Sequence, residues 1–325
     1  MKVLVVRFSS IGDIVLCTPV VRCLKEQLPN AEIHFATKSA YGSLLDHNPY
    51  IQRVHTLGDD WDEFTSNLKT EKFDRIIDLH NNLRSRRLAL DLGLKRSAFD
   101  KINIAKWLKV NLKIDRLPKV HIVDRYLETV KDLGVNNDGK GLDVFLPEIL
   151  DDTPLKRLPE KFICLALGGQ HATKKLPQSS MEELLSKVEG TIVLIGGPED
   201  EAIGERLAEI RPGVINLCGK LSLLQSALAI NRSSTVITHD TGMMHIAAAF
   251  EKNVLSIWGN TIPSFGMTPY KAGPDSTLFE VKGLKCRPCS KIGYDRCPKG
   301  HFRCMLDQDL DSIANAASVL SRKEH

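Results

Sequence analysis

Short apolar runs alternate with amphipathic stretches along most of the chain. In the first half the apolar runs cover residues 3–8, 32–36 and 73–79. Between the first two runs, residues 12–28 have apolar residues at helical spacing, which predicts a helix there. The second half repeats the alternation, with apolar runs at residues 162–167, 191–196, 214–217, 235–238 and 254–258. Strands that alternate with helices predict parallel sheets, so the pattern indicates an α/β protein with two Rossmann-like domains.

The length of 325 residues also favours two domains, because a single hydrophobic core rarely grows that large. Residues 147–159 carry three prolines among charges and show no periodicity, which is typical of a linker. We therefore place the domains at residues 1–155 and 156–325.

Composition and the first residues of the chain argue against a membrane-spanning protein and against a secreted one. Apolar residues make up 42% of the chain and charged residues 26%, and no stretch of about 18 apolar residues could span a bilayer. Pro19 and Arg22 interrupt any signal-peptide pattern after the apolar start, so we expect a cytoplasmic protein. A net charge of +4 is too small to indicate nucleic acid binding.

The first strand is followed by a polar segment that ends in a carboxylate. Its residues are Arg7, Phe8, Ser9, Ser10, Ile11, Gly12 and Asp13. Ligands of open α/β sheets bind at the carboxyl ends of strands, so Asp13 is a candidate catalytic base. The alternative is that Asp13 only offsets the dipole of the helix that begins there.

A second polar turn follows the strand at residues 235–238. Asp240 and Thr241 are placed to cap the next helix, and the free N–H groups of its first turn suit phosphate oxygens. His245 lies one turn further along. The alternative is an ordinary capped helix in which His245 is a core residue.

Two further loops of the second half have the same design. Residues 167–177 combine two glycines with Thr173, Lys174 and Lys175, a composition that suits a diphosphate or an ordinary solvated loop. Residues 191–201 end in carboxylates, among them Glu201, which suit ribose hydroxyls or a helix cap.

Taken in order, these segments resemble the motifs of the glycosyltransferase family 9 heptosyltransferases. The matching residues are the run from Arg7 to Asp13 with Thr18 and Pro19, Lys174 with Pro177, Gly196 to Pro198, the run from Asp240 to His245, and Ile257 to Gly259. The resemblance spans roughly residues 1–305.

The resemblance implies a GT-B fold, with two Rossmann-like domains facing each other across a cleft and a last helix, near residues 310–320, returning toward the first domain. It implies inverting transfer of heptose from ADP-heptose to a lipid A-linked oligosaccharide, with no cofactor required for catalysis. Asp13 would then be the general base. The implied donor-binding residues are Thr173, Lys174, Glu201, Leu221, Asp240, Thr241, Gly242 and His245; those for the sugar acceptor are Ser9, Ser10, Gly12 and Arg84.

The chain departs from the family pattern at two places that bear on the sugar acceptor. Leu176 stands where a tryptophan is common, and an acidic run at residues 59–63 replaces a basic loop. Basic residues concentrate instead between Arg84 and Lys119. Within that stretch, Ile104, Trp107, Leu108 and Leu112 have helical spacing. Such a helix suits anionic lipid head groups of the inner membrane, acceptor phosphates or simply solvent.

Four cysteines lie near the carboxyl end of the chain. Cys286, Cys289, Cys297 and Cys304 could close a tetrahedral zinc site, although the second pair lacks the usual spacing; reduced or disulfide-paired cysteines are the alternative.

Three other functions fit the residues. They are a transferase for an O-antigen or capsule sugar, an isomerase of nucleotide sugars that needs no sugar acceptor, and a binding module in which Asp13 is dispensable.

Overall fold

The computed structural model describes residues 1–323 and divides into two compact units. The first unit comprises Met1–Asn103 and Val120–Pro147. The second comprises Ile104–Lys119 and the chain from Glu148 onward. The division lies at Pro147 rather than at residue 155, and the sequence did not predict that Ile104–Lys119 belongs with the second unit.

The first unit is built on a five-stranded parallel sheet in the order β3-β2-β1-β4-β5. Its strands are β1 (Lys2–Val6), β2 (Glu32–Lys38), β3 (Arg53–Leu57), β4 (Arg75–Asp78) and β5 (Arg96–Ala98). β1 lies in the centre and is apolar and buried from Val3 to Val6, as expected for a strand covered on both faces. The order reverses between β1 and β4, which makes their carboxyl ends a topological switch point.

Helices cover this sheet. They are α1 (Ile11–Val15), α2 (Thr18–Gln27), α3 (Trp61–Thr70), α4 (Leu83–Leu92) and α6 (Ile122–Leu127), while α5 (Asn103–Trp107) begins at the boundary of the two units. α4 shows why such segments form helices: the Asn82 side chain caps the Ser85 N–H at 2.9 Å, and Gly93 ends the helix in the left-handed region.

The second unit is built on a six-stranded parallel sheet in the order β11-β10-β9-β6-β7-β8. Its strands are β6 (Ile163–Ala166), β7 (Ile192–Ile195), β8 (Val214–Asn216), β9 (Thr235–His239), β10 (Val254–Trp258) and β11 (Thr277–Glu280). The switch point lies between β6 and β9. The predicted α/β class with two Rossmann-like sheets is therefore confirmed.

The helices of the second unit are α7 (Gln178–Lys187), α8 (Glu201–Ala208), α9 (Leu223–Arg232), α10 (Gly242–Ala249), α11 (Arg303–Leu306) and α12 (Leu310–Arg322). α12 packs on α7 and on the strands β9 and β10. Its predicted return toward the first domain stays a prediction.

Two expectations about elements need correction. The helix predicted over residues 12–28 is two helices, because the chain turns at Leu16 and Cys17 and Pro19 occupies the first turn of α2. The strands β3, β5 and β11 were not predicted.

No helix within residues 1–323 is long and apolar enough to cross a membrane.

Candidate active site

Asp13 is held by a buried arginine at the switch point of the first unit. Arg7 Nη2 lies 2.7 Å from Asp13 Oδ2, and the backbone N–H and hydroxyl of Ser10 lie 3.5 and 3.4 Å from the same oxygen. Arg7 also donates to the carbonyl oxygens of Ser9 and Leu79, at 2.7 and 2.6 Å. Burial opposes the charge of Arg7, but the Asp13 carboxylate prevails and raises the pKa of the guanidinium above its usual value.

Arg7 was part of the sequence motif but was given no role of its own. Its contacts show that it fixes the orientation of Asp13, whose side chain keeps 20% of its surface exposed. The carboxylate is therefore both oriented and reachable, as a general base must be. Its contact with Ser10 also agrees with the helix-terminus interpretation, because Asp13 stands in the first turn of α1.

Asp78, at the end of β4, organises the other side of this switch point. The fully buried carboxylate accepts hydrogen bonds from the backbone N–H groups of His80 and Asn81, at 2.9 and 2.7 Å, and from Arg96 Nε at 2.7 Å. The turn that leads to Arg84 is thereby fixed. Burial, and to a lesser extent the positive charge of the nearby Arg7, lowers the pKa of His80 to about 4, so the imidazole is neutral at pH 7.

Arg84 lines a pocket of about 810 Å³ within the first unit. The other lining residues include Lys38, Asp59, Trp61 and Arg87. Arg87 stacks over the Trp61 ring at 4.9 Å and is 3.4 Å from a carboxylate of α4. Arg84 and Lys38 are both exposed and have no ion-pair partner among residues 1–323, so the pocket offers two unpaired cations and one aspartate.

Lys174 and Asp240 meet at the switch point of the second unit. Lys174 Nζ lies 2.7 Å from Asp240 Oδ2 and 3.2 Å from the Asp240 carbonyl oxygen. The Thr261 hydroxyl, not predicted as a site residue, donates to the same carboxylate at 2.8 Å. This ion pair joins the loop after β6 to the turn after β9. A bound anion would compete with Asp240 for Lys174.

The first turn of α10 is open. Thr241 is the N-cap residue, but its side chain accepts no capping hydrogen bond and instead lies 3.3 Å from the Thr238 hydroxyl. Asp240 is occupied by Lys174, so the expectation that these two residues cap the helix is wrong. The N–H groups that begin at Gly242 are left for a ligand. His245 is buried on the same helix.

Gly169 permits the close approach of the loop after β6 to this turn. A Cβ atom at Gly169 would lie 3.1 Å from Thr241 Cγ2, which is tighter than an ordinary contact. His239 fixes the same loop, because its Nε2 accepts the Leu176 N–H at 3.0 Å. Burial, and to a lesser extent the positive charge of Lys175, lowers the pKa of His239 to about 4. The ring is therefore neutral at pH 7, and Nε2 can accept this hydrogen bond.

Glu201 and Leu221 lie beside a third loop of this unit. Glu201 begins α8 and is exposed, and its Oε2 lies 3.3 Å from where a Cβ of Gly219 would stand. Leu221 follows two residues later and precedes the N-cap of α9. Lys175, in contrast, is paired with the buried Asp200 at 3.1 Å.

Thr173 is tied to the cysteine-rich segment. Its hydroxyl donates to the Tyr294 carbonyl at 3.0 Å and accepts the Tyr294 N–H at 2.8 Å. All eight cysteines are free thiols, and Cys286 Sγ lies 3.7 Å from His301 Nε2. Thiolates with an imidazole suit zinc. No three of the four thiols lie within 4.8 Å of one another, however.

Within residues 1–323, that distance is met by His34, His55 and Glu71. His34 Nδ1 and His55 Nε2 are hydrogen bonded at 2.8 Å, and Glu71 is paired with Lys2 and Arg53 at 2.9 and 2.7 Å. The two histidine nitrogens are therefore hydrogen bonded to each other, and the Glu71 oxygens are paired with Lys2 and Arg53. This group is a buried polar network at the amino end of the sheet.

Comparisons with known proteins point to one family. Residues 61–294 match the sequence model of glycosyltransferase family 9 (heptosyltransferase). The chain is 23% identical to lipooligosaccharide heptosyltransferase 2 of Haemophilus influenzae, over 94% of this chain and 95% of that protein.

Two solved structures share the fold. A family 9 glycosyltransferase from Veillonella parvula has a TM-score of 0.80 and 20% identity, over 98% of this chain and 97% of that one. The ADP-heptose lipopolysaccharide heptosyltransferase II of Escherichia coli has a TM-score of 0.74 and 18% identity, over 99% and 98%.

Proposed function

Because this chain belongs to glycosyltransferase family 9 and is a glycosyltransferase, we propose that it transfers heptose from ADP-heptose to a sugar of the lipopolysaccharide inner core, with inversion at the anomeric carbon. One observation carries the proposal. Each unit presents charged groups suited to one half of the reaction at its own switch point: the Arg7–Asp13 pair in the first and the Lys174–Asp240 pair beside the open α10 terminus in the second.

The donor diphosphate would bind at the start of α10. N–H groups from Gly242 onward donate to phosphate oxygens, and the helix dipole favours their negative charge. Lys174 exchanges its Asp240 partner for a phosphate oxygen and offsets the charge that grows as ADP leaves. Glu201 and Leu221 would receive the ribose and the adenine.

Asp13 would act on the sugar acceptor. As the acceptor oxygen forms its bond to the anomeric carbon, its proton passes to Asp13, and the bond from that carbon to the diphosphate breaks with the electron pair going to ADP. Attack from the face opposite the leaving group inverts the configuration. Ser9, Ser10 and Gly12 line the chain segment in which the base sits.

The pocket with Arg84 and Lys38 supports an anionic acceptor. Two cations without carboxylate partners are suited to phosphate or carboxylate groups of an inner-core oligosaccharide linked to lipid A. Asp59 lies in the same pocket, so the acceptor would carry a hydroxyl or an amine toward that side.

The test is to incubate the protein with a panel of nucleotide sugars and a heptose-free core oligosaccharide and to identify products by mass spectrometry. We expect ADP release together with an acceptor heavier by one heptosyl unit. Transfer of another sugar would overturn the heptose assignment. Conversion of the nucleotide sugar without an acceptor would identify an isomerase, and the absence of any turnover by the native protein with intact ADP binding would overturn transfer to this acceptor.

A further inference from the structure

Ile104–Lys119 contains an apolar helix with no buried face. α5 continues as a π-helical turn, Leu108–Leu112, and no residue of either element is buried. Ile104 is 79% exposed, Trp107 55% and Leu112 54%. A helix this short gains little stability from its own hydrogen bonds, and exposed apolar clusters of this kind mark interaction surfaces.

Cations surround these apolar side chains. Residues 101–119 contain six basic residues and one acid, whereas the whole chain has a net charge of only +4. The basic residues are Lys101, Lys106, Lys109, Lys113, Arg116 and Lys119. The acid, Asp115, is paired with Lys109 at 2.6 Å. The surface therefore combines apolar tips, a tryptophan and a strong positive charge.

We propose that Ile104–Lys119, here called the amphipathic segment, docks the protein on an anionic lipid bilayer. Ile104, Trp107 and Leu112 would enter the boundary between head groups and acyl chains, and the exposed Arg116 and Lys119 would meet lipid phosphates. Tryptophan favours that boundary because it has an apolar body and one polar N–H. Each basic residue near an anionic bilayer strengthens the attraction, and apolar burial adds to it.

The charges favour a bilayer over a second copy of the chain. In a symmetric dimer the same patch faces itself, so the five basic residues of the segment would oppose five others, and like charges brought together across an interface are destabilising. An anionic bilayer has the complementary sign and accepts the apolar side chains in the same plane.

The segment is anchored to the rest of its unit. Lys113 Nζ donates to the carbonyl oxygens of Cys286 and Pro288, at 3.1 and 2.7 Å. Lys106 Nζ lies 5.8 Å from the centre of the Phe265 ring. Docking would therefore hold the second unit at the surface, and not only a loose loop.

The experiment is sedimentation of the full chain with vesicles that contain no lipid A. Vesicles of phosphatidylcholine alone are compared with vesicles that include about one quarter phosphatidylglycerol. We expect binding to the anionic vesicles, weakened by salt, and a loss of about tenfold in the Ile104→Ser/Trp107→Ser double variant. The matched control is Leu90→Ser/Ile149→Ser, which removes two apolar side chains that are 81% and 93% exposed outside the segment.

Vesicle binding requires no sugar transfer, so its failure is distinguishable from failure of the proposed reaction. Transfer to a soluble core oligosaccharide and the melting temperature should be unchanged in the double variant, because both residues are exposed. Equal binding by the double variant and the native chain, or no preference for anionic vesicles, would overturn the proposal. Light scattering that shows a dimer of the native chain and a monomer of the variant would assign the surface to a second copy instead.

Discussion

Arg7 and Asp13 form a 2.7 Å ion pair directly after the central strand of the first unit. The guanidinium is buried and also donates hydrogen bonds to the backbone carbonyl oxygens of Ser9 and Leu79. The two residues can therefore be separated by mutation: Asp13 as the base, and Arg7 as the residue that positions it.

Asp13→Asn should lower the rate of transfer by about 10²- to 10⁴-fold, because the amide cannot take the acceptor proton. ADP affinity should not change, since the residues proposed to bind ADP belong to the other unit. A modest fall in melting temperature is expected because Arg7 loses a charged partner. Turnover near that of the native protein would remove Asp13 from the mechanism.

Lys174→Ala should weaken ADP binding by about 10- to 100-fold, the cost of one charge-assisted hydrogen bond. Calorimetry on the full chain measures this effect. Lys187→Ala is the control, because Lys187 is a lysine of the same unit that is paired with Asp311 on the surface. Equal affinities for the two variants would place the diphosphate elsewhere.

Arg84→Ala should raise the Michaelis constant for the sugar acceptor and reduce its dependence on salt, because exposed charge pairs are screened over about 10 Å at 0.1 M. The constant for the donor should change less. Arg86→Ala is the matched control, since Arg86 stands on the same helix and does not line the pocket. If both variants behave as the native protein does, the pocket is not the acceptor site.

The cysteine segment should hold about one equivalent of zinc if its thiolates bind metal, as measured by elemental analysis. Cys289→Ser should lose the metal, while Cys164→Ser, in the core of the sheet, should keep it. Because Thr173 contacts Tyr294 of this segment, loss of metal should also weaken ADP binding. Metal-free protein that melts at an unchanged temperature would refute this prediction.

Acid should destabilise the first unit through His55. Burial, and to a lesser extent the charges of His34 and Arg53, lowers the pKa of His55 to about 4, whereas its pKa in the unfolded chain is near 6.5. Between these values the unfolded chain binds more protons, so the free energy of unfolding is unaffected above pH 6.5 and falls as the pH drops toward 4, by up to about 1.4 kcal/mol per pH unit. His55→Asn should have a shallower slope in thermal or urea unfolding at pH 4–7. An identical slope would contradict the assignment.

Much of the candidate site was predictable because it lies at strand ends. Lys174 and Asp240 follow β6 and β9, so the rule that ligands bind at carboxyl ends placed both at the same edge of the sheet, and the family resemblance grouped them in one donor site. Their mutual ion pair was not predictable, because the sequence does not tell which strands are neighbours. The same limit hid the His34–His55 pair, which depends on the register of β2 against β3.

The capping prediction for Asp240 and Thr241 failed for a related reason. Local sequence favours these residues as caps, but tertiary partners, Lys174 and Thr238, take their side chains. The short strand β5 was missed because three residues carry too little periodicity, and the break between α1 and α2 was missed because apolar spacing continues through it.

The chain passes between the two units three times, at residues 103–104, 119–120 and 147–148. A recombinant chimera that joins the first half of this enzyme to the second half of a relative at residues 147–159 would therefore separate Lys113 from the carbonyl oxygens of Cys286 and Pro288. A chimera with an exchanged C-terminal half keeps these contacts only if Ile104–Lys119 is transplanted together with that half. Evolution by shuffling of whole halves would face the same constraint.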